Sequence, residues 1–426
     1  MRKNSKKTVI GMLSVLFVLG FSCSPIVGDK ESETTSKNKE VTAKDILGNP
    51  NYKAISYGGY RKKSRVEQPT IVQLKEDMKL LNASGIKFLR TYNVQLPHAG
   101  NLLQAISELK KEEPTFEMYL MLGAWIDCEN AWTDQAPKHD VESEQNEGEI
   151  GRAVALANQY PDIVKVVAVG NEAMVKWAES YYVQPDVILK WVNHLQALKK
   201  EGKLPSDLWI TSSDDFASWG GGDPLYRTES LEKLIHAVDY ISMHTYPYHN
   251  THYNPDFWRV PSGEVSLPTV EQVDAAVHRA QQFAENQYKE VTEYVNSLGA
   301  DKPIHIGETG WASVSDGFYG AEGSRATDEY KQGLYYQLMR TWTDSAGISC
   351  FFFEAFDEQW KDAGNPNGSE NHFGLFTLKG EAKYPLWDLV EQGTFDGITR
   401  GGNQIIKTYK GNIDSLMRDV KAPPTH

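Results

Sequence analysis

IVKVVAVGNE, residues 163–172, decides the fold. Apart from Lys165, apolar and mostly β-branched residues fill it as far as Gly170, and Asn171 and Glu172 then close it with polar side chains. A continuous apolar run bounded by a glycine reads as a strand buried on both faces. Such strands belong to parallel sheets wrapped by helices, so the chain should hold more of them. Seven similar runs occur: AISY (54–57), IKFLRTY (86–92), FEMYLMLGAW (116–125), LWITSS (208–213), YISMHTY (240–246), PIHIGE (303–308) and ISCFFFEAF (348–356). Helical patterns lie between them. In VQLKEDMKLLNASG, for example, Leu74, Met78, Leu80 and Leu81 share one side and Gly85 ends the run.

Eight strand–helix units over 426 residues predict an α/β protein, a (β/α)8 TIM barrel forming a single domain. An open doubly wound sheet is the structural rival. It would more often carry a glycine-rich first turn, and SYGGY (56–60) does not supply GxGxxG. Long loops are expected after strands 3 and 6, at residues 126–148 and roughly 247–290, both above the strand C-termini. They carry Trp132, Phe257 and Trp258, either as cleft walls or as packing for the insertions.

With the strands placed, acids collect at their C-terminal ends: Glu172 after strand 4, Glu308 after strand 7, Glu354 and Glu358 at and after strand 8. In a barrel these ends converge on one mouth. Alone, each acid has a plain structural explanation. Asn171 could cap a helix beginning around AMVKWAE, with Glu172 favouring its positive end, and Thr309 or Ser313 could cap the helix after Glu308. Together, two facing carboxylates suit cleavage of a glycosidic bond. At a separation of about 5 to 5.5 Å one attacks the anomeric carbon while the other protonates the leaving oxygen, whereas inversion needs a wider gap for water. Like charges at short range push the two pKa values apart, leaving one group ionised and the other protonated.

Four motifs, VGNEAM, IGETGWAS, FDEQWK and ENHFGLF, in this order, resemble glycoside hydrolase family 17, the β-1,3-glucanases, over most of residues 50–390. The resemblance implies hydrolysis of β-1,3-glucan of the laminarin type with retention and endo action, without cofactor. It makes Glu172 the acid/base and Glu308 the nucleophile. Asn171 would bond the sugar 2-hydroxyl and Tyr246 would stand beside Glu308. Glu358, Lys361 and Glu370 would form a polar group by the centre, with Tyr57, Trp311, Phe356 and Phe373 as sugar contacts. The chain departs from the family at His244, where Asn is usual, at Gly307, often Ser, and at Ala312, often Pro. His244 is either a tolerated polar exchange or a satisfied core histidine. His249 and His252 match no familiar zinc spacing, and no metal is expected. A transglycosylase, or a glycan-binding surface lipoprotein on an inactive barrel, are the rival functions.

Charge and termini narrow the partners. The formal net charge is −13, and setting aside the four cations of residues 1–22 leaves −17, a surface that repels nucleic acid and anionic polymers. A neutral β-glucan, met by a monomer, is compatible with it. Aromatics reach 11%, with 11 Trp and 21 Tyr, and such rings stack on sugar faces as well as filling cores. Basic MRKNSKK, apolar TVIGMLSVLFVLGFS and then Cys23 have the form of an export signal (1–22) with a lipid-attachment cysteine. Residues 23–48 would be a polar tether, 49–395 the catalytic barrel and 396–426 an appendage. The expected location is extracytoplasmic and membrane-anchored, with a secreted soluble form as the alternative. Cys128 and Cys350 suggest neither a metal site nor a disulfide and are expected as buried thiols.

Overall fold

The structure, a computed structural model, describes residues 40–425. The expected signal peptide, Cys23 and most of the tether lie outside the described residues. Eight parallel strands form the sheet: β1 (Lys53–Ser56), β2 (Ile86–Arg90), β3 (Tyr119–Ala124), β4 (Val164–Asn171), β5 (Trp209–Asp215), β6 (Ile241–His244), β7 (Ile304–Gly310) and β8 (Cys350–Phe353). Each pairs with the next, and β8 closes on β1 through Ile55 and Phe352. The helices that follow them are α1 (Ile71–Ala83), α2 (His98–Glu112), α3 (Gln145–Gln159), α4 (Pro185–Lys200), α5 (Glu229–Ala237), α6 (Thr269–Ser297), α7 (Glu329–Ala346) and α8 (Trp387–Glu391). The closed parallel barrel expected from the strand count is therefore present.

The alternation along each strand sorts side chains between two cores. On β4, Val166 and Ala168 join Phe88, Tyr119, Met121, Tyr240 and Phe351 inside the barrel. Val164, Val167 and Val169 face the helix layer with Leu120, Leu122 and Ile210. Burying one such side chain contributes about 1.5–3 kcal/mol, and every strand contributes several. The helices start where local chemistry allows. Thr70 and Gln73 form a capping box at α1, and the Asp328 carboxylate caps α7, which stops at the left-handed Gly347.

Three expectations change. The tether gives way to folded structure before residue 48: Thr42 caps a short helix, Ala43–Ile46, and Ala43, Ile46 and Leu47 join the barrel-interior cluster. The connection after β6 is largely helical, not a loop. Pro247–Tyr253 forms a helix, and α6 runs 29 residues from Thr269. Proline sets the start of the first and directly precedes the second, while the abundant His, Asn and Gln of this stretch disguise the helical periodicity. The connection after β3 folds into a hairpin, Cys128–Glu129 against Lys138–Glu142. Cys128 and Cys350 are buried free thiols. Among the described residues, no helix is long and apolar enough to cross a membrane.

Candidate active site

β4 delivers two site residues through a distorted end. The pairing with β5 shifts register between Ala168 and Asn171, Gly170 takes φ +83° and Glu172 takes φ +46°. A side chain at Gly170 would meet the Ala173 Cβ at 2.8 Å, so glycine is required on both counts. Left-handed backbone at a glutamate is strained, and such strain concentrates at functional sites. The Glu172 N–H donates to the Ser213 carbonyl at 2.9 Å, which holds the turn. No helix begins at AMVKWAE; the next is α4 at Pro185, so Asn171 is not a helix cap. The capping explanation fails for Glu308 as well. The next helix starts at Glu329, Thr309 bonds the Tyr335 hydroxyl and Ser313 bonds the His372 carbonyl.

Glu308 projects from β7 into the same mouth. Glu172, His244 and Glu308 each place one polar side-chain atom within 4.8 Å of the others. That closeness fits the separation that direct attack needs and leaves little room for an intervening water. Glu308 accepts from Tyr246 Oη at 2.6 Å on one oxygen, and from Tyr92 Oη at 2.7 Å and the Arg90 guanidinium on the other. Arg90 is buried. Its second amino group donates to Asn171 Oδ1, and its first also reaches the Gly307 carbonyl at 2.9 Å. One guanidinium therefore ties β2, β4 and β7 together. By spacing alone the three residues could hold a cation, but the Arg90 charge already sits on Glu308.

The two carboxylates are pushed in opposite directions. Burial raises the Glu172 pKa, Glu308's charge raises it further, and Arg90 only partly opposes them. Burial also acts upward on Glu308, but Arg90, then His244 and the two tyrosine hydroxyls, overcome it and hold the group well below the usual carboxylate range. At neutral pH the pair rests as one protonated acid and one carboxylate, the state in which one group can donate a proton while the other attacks.

A cleft crosses the mouth in two arms that share Glu308, Phe353 and Glu370. One arm, about 620 Å³, holds Asn171, Tyr92, Trp125, Trp132 and Lys361; the other, about 840 Å³, holds Glu172, Tyr246, Trp177, Tyr253 and Phe216. Glu370 is exposed on the cleft. Glu358 accepts from the Tyr60 N–H at 2.9 Å and Trp360 Nε1 at 2.8 Å, while Lys361 binds Glu354 at 2.6 Å. Tyr57 and Phe373 line the cleft but are only 1% exposed, and the Tyr57 hydroxyl is turned to Asp77 at 3.0 Å.

Two expected sugar contacts are corrected. Trp311 is fully buried among Trp258, Tyr248 and Tyr335, with Nε1 donating to the Ala326 carbonyl at 2.8 Å, so no sugar reaches it. Phe356 is buried between Tyr57, Phe376 and Arg400. Of the loop aromatics, Trp132 stands on the cleft, whereas Trp258 is buried and Phe257 stacks on Phe283. Arg90, Tyr92 and Trp177 are the cleft residues that sequence reasoning passed over. For the first two a signal existed, since FLRTY ends β2 as VGNE ends β4.

Comparison with known proteins agrees with this geometry. The family model described as the BtgE/BtgC glycoside hydrolase domain matches residues 54–374. A glucan 1,3-beta-glucosidase of Arthroderma benhamiae is 26% identical over 277 residues, covering 62% of this chain and 70% of that protein. An endo-laminarinase from Formosa Hel1_33_131 is 66% identical in its solved structure, with TM-score 0.90, covering 91% of this chain and 98% of that one. A beta-1,3-glucanosyltransferase from Rhizomucor miehei, at 18% identity and TM-score 0.54, covers 79% of this chain and 96% of its own and shares the fold. From the matched model, the eight-stranded barrel and the carboxylate pair in its mouth, the chain belongs to the BtgE/BtgC glycoside hydrolase family.

Proposed function

We propose that this chain hydrolyses β-1,3-glucosidic linkages of laminarin-type glucans, cutting within the chain and retaining the anomeric configuration. The observation that carries the reading is the pair of adjacent carboxylates driven apart in pKa by Arg90. Glu308, ionised and aimed by Tyr92 and Tyr246, attacks the anomeric carbon as Glu172 protonates the departing oxygen. The ester so formed has lost the Glu308 charge, which removes the repulsion that kept Glu172 protonated. Glu172 then accepts a proton from water, and that water releases the sugar. Asn171, held by Arg90, is placed to bond the sugar on the donor side.

The cleft acquires a direction from this chemistry. The acid must reach the leaving oxygen, so the arm that holds Glu172, Trp177 and Tyr253 takes the leaving chain. The arm with Asn171 and Trp132 takes the donor chain. A cleft open in two arms about the reacting pair supports internal cutting. The identity of 66% with the Formosa endo-laminarinase supports the same substrate class. Lipid attachment at Cys23, a membrane-anchored extracytoplasmic location and a monomeric state are proposed from the sequence, and the mass of the mature N-terminus tests the first.

Glu308→Ala should lower turnover of laminarin by several orders of magnitude. Added azide should partly restore it with an inverted glycosyl azide product, because a small anion can enter the space the carboxylate left. Retained activity in the variant, or an azide product of unchanged configuration, would refute the assignment.

A further inference from the structure

Glu172 is backed by a file of polar groups that the reaction does not otherwise use. His244 is fully buried, with Nδ1 3.0 Å from Glu172 Oε1 and Nε2 2.8 Å from Ser213 Oγ. Ser213 Oγ lies 2.8 Å from Ser242 Oγ. Room for both hydroxyls comes from β7. A Cβ at Gly307 would stand 2.1 Å from Ser242 Oγ and 2.7 Å from Ser213 Oγ. Neither hydroxyl could stay where it is beside any other residue.

The imidazole carries no charge at neutral pH. Burial and then the Arg90 charge lower its pKa to about 4, against the opposing pull of Glu308 and Asp214. A neutral imidazole has one N–H, on Nδ1 or on Nε2. With the hydrogen on Nε2, a nitrogen lone pair would face Glu172 whenever that carboxylate is ionised. With the hydrogen on Nδ1, the bond to Oε1 survives both states of Glu172. Nε2 is then free to accept from the Ser213 hydroxyl, whose oxygen accepts from Ser242.

We propose that Ser213 and Ser242 fix His244 as the Nδ1–H tautomer, and that His244 positions Glu172 by donating to Oε1, so that the acid proton is carried on Oε2. This rests on the acid/base role proposed for Glu172. His244 touches no substrate in this scheme; it is a positioning residue. The proton of the acid is thereby assigned to one oxygen before substrate arrives, and the same N–H holds that oxygen after the proton has gone.

The test compares His244→Gln, His244→Asn and Ser213→Ala on two substrates, laminarin and a 2,4-dinitrophenyl β-laminaribioside whose leaving group departs unprotonated. His244→Gln should lose roughly 10- to 100-fold in kcat/KM on laminarin and far less on the aryl glycoside, a loss within the range of general-acid catalysis. The alkaline limb of its pH profile should move to higher pH, because a donor that favoured ionised Glu172 is gone. His244→Asn can place an amide N–H where Nδ1 stood and should recover most of the loss together with the wild-type limb. Ser213→Ala should shift the limb in the same direction by less. Equal losses on both substrates, a limb that moves to lower pH, or an Asn variant no better than Gln would each overturn the proposal. Glu172→Ala is the control. If it too fails to discriminate between the substrates, the acid assignment itself falls; if it discriminates and His244→Gln does not, only the role of His244 falls.

Discussion

Glu172 and Glu308 occupy one pocket, yet Arg90 makes them unequal. Its guanidinium sits on Glu308 and reaches Asn171, the residue before Glu172, without bonding the Glu172 carboxylate. Activity needs Glu308 ionised and Glu172 protonated. Since the first pKa is lowered and the second raised, the acid limb of kcat/KM should fall below the ordinary carboxylate range. The alkaline limb should fall above it, with a plateau across neutrality. Arg90→Met removes the influence that keeps Glu308 low. Its acid limb should move to higher pH, with kcat down about 100-fold, as for loss of a preorganised charge partner. A pH–rate profile of the folded variant with an unmoved acid limb would contradict this account. The acids themselves were legible in the sequence, because each closes an apolar run at a strand C-terminus. Arg90 and Tyr92 close a run in the same way, but an isolated arginine reads as a surface cation until a fold buries it.

At the scale of elements, the barrel strands were the legible part and the connections were not. An apolar run of five to eight residues declares itself, whereas HNTHYNPDFW and the polar face of α6 resemble loop until tertiary packing selects the apolar side. Orientation is harder still. Trp311 follows the catalytic β7 directly, and only the helix Pro247–Tyr253 and the turn around Trp258, folded over it, reveal that its ring points into the core. Trp132 and Trp177, in contrast, are 61% and 66% exposed and stand on opposite arms of the cleft. An indole on a sugar face is worth on the order of 1 kcal/mol or more beyond area burial alone, so the two should act on different halves of the substrate. Trp132→Ala should weaken binding on the donor side and raise KM for long and short oligosaccharides alike. Trp177→Ala should leave hydrolysis of an aryl laminaribioside near wild type while lowering cleavage that needs a bound leaving chain. It should also lower the yield of products longer than the substrate when a β-1,3-oligosaccharide is supplied in excess. Identical product patterns from both variants by time-resolved chromatography would remove the direction assigned to the cleft.

For the whole molecule, the segment expected as an appendage is part of the barrel's outer layer. Arg400 is 1% exposed and donates through Nε to Asp77 of α1 at 2.8 Å, while its guanidinium lies 3.8 Å from the centre of the Phe356 ring. Asp77 in turn accepts from the Tyr57 hydroxyl under the donor arm and from Arg61 at 2.9 Å. Thr408 bonds Glu329 at the start of α7, and Thr425 bridges Val260. The last thirty or so residues thus reach α1, α7 and the connection after β6, tying together elements that are distant in sequence. No apolar periodicity marks them, which is why their packing was not legible: the contacts are made by single polar side chains whose partners lie hundreds of residues away. Removing one member of a buried ion pair costs about 3–5 kcal/mol because the other charge stays buried. Arg400→Met should therefore lower the unfolding free energy by that order. Asp77 keeps Arg61 and Tyr57 as partners, which places the loss toward the lower end. Deleting residues 396–426 should cost more, since it also exposes the Phe356 and Phe376 face that Arg400 and Phe395 cover. Chemical denaturation of both variants measures this directly. If the truncated chain unfolded at the wild-type denaturant concentration, the terminal segment would be an accessory after all, and the barrel's stability would have to come from the strands and helices before it.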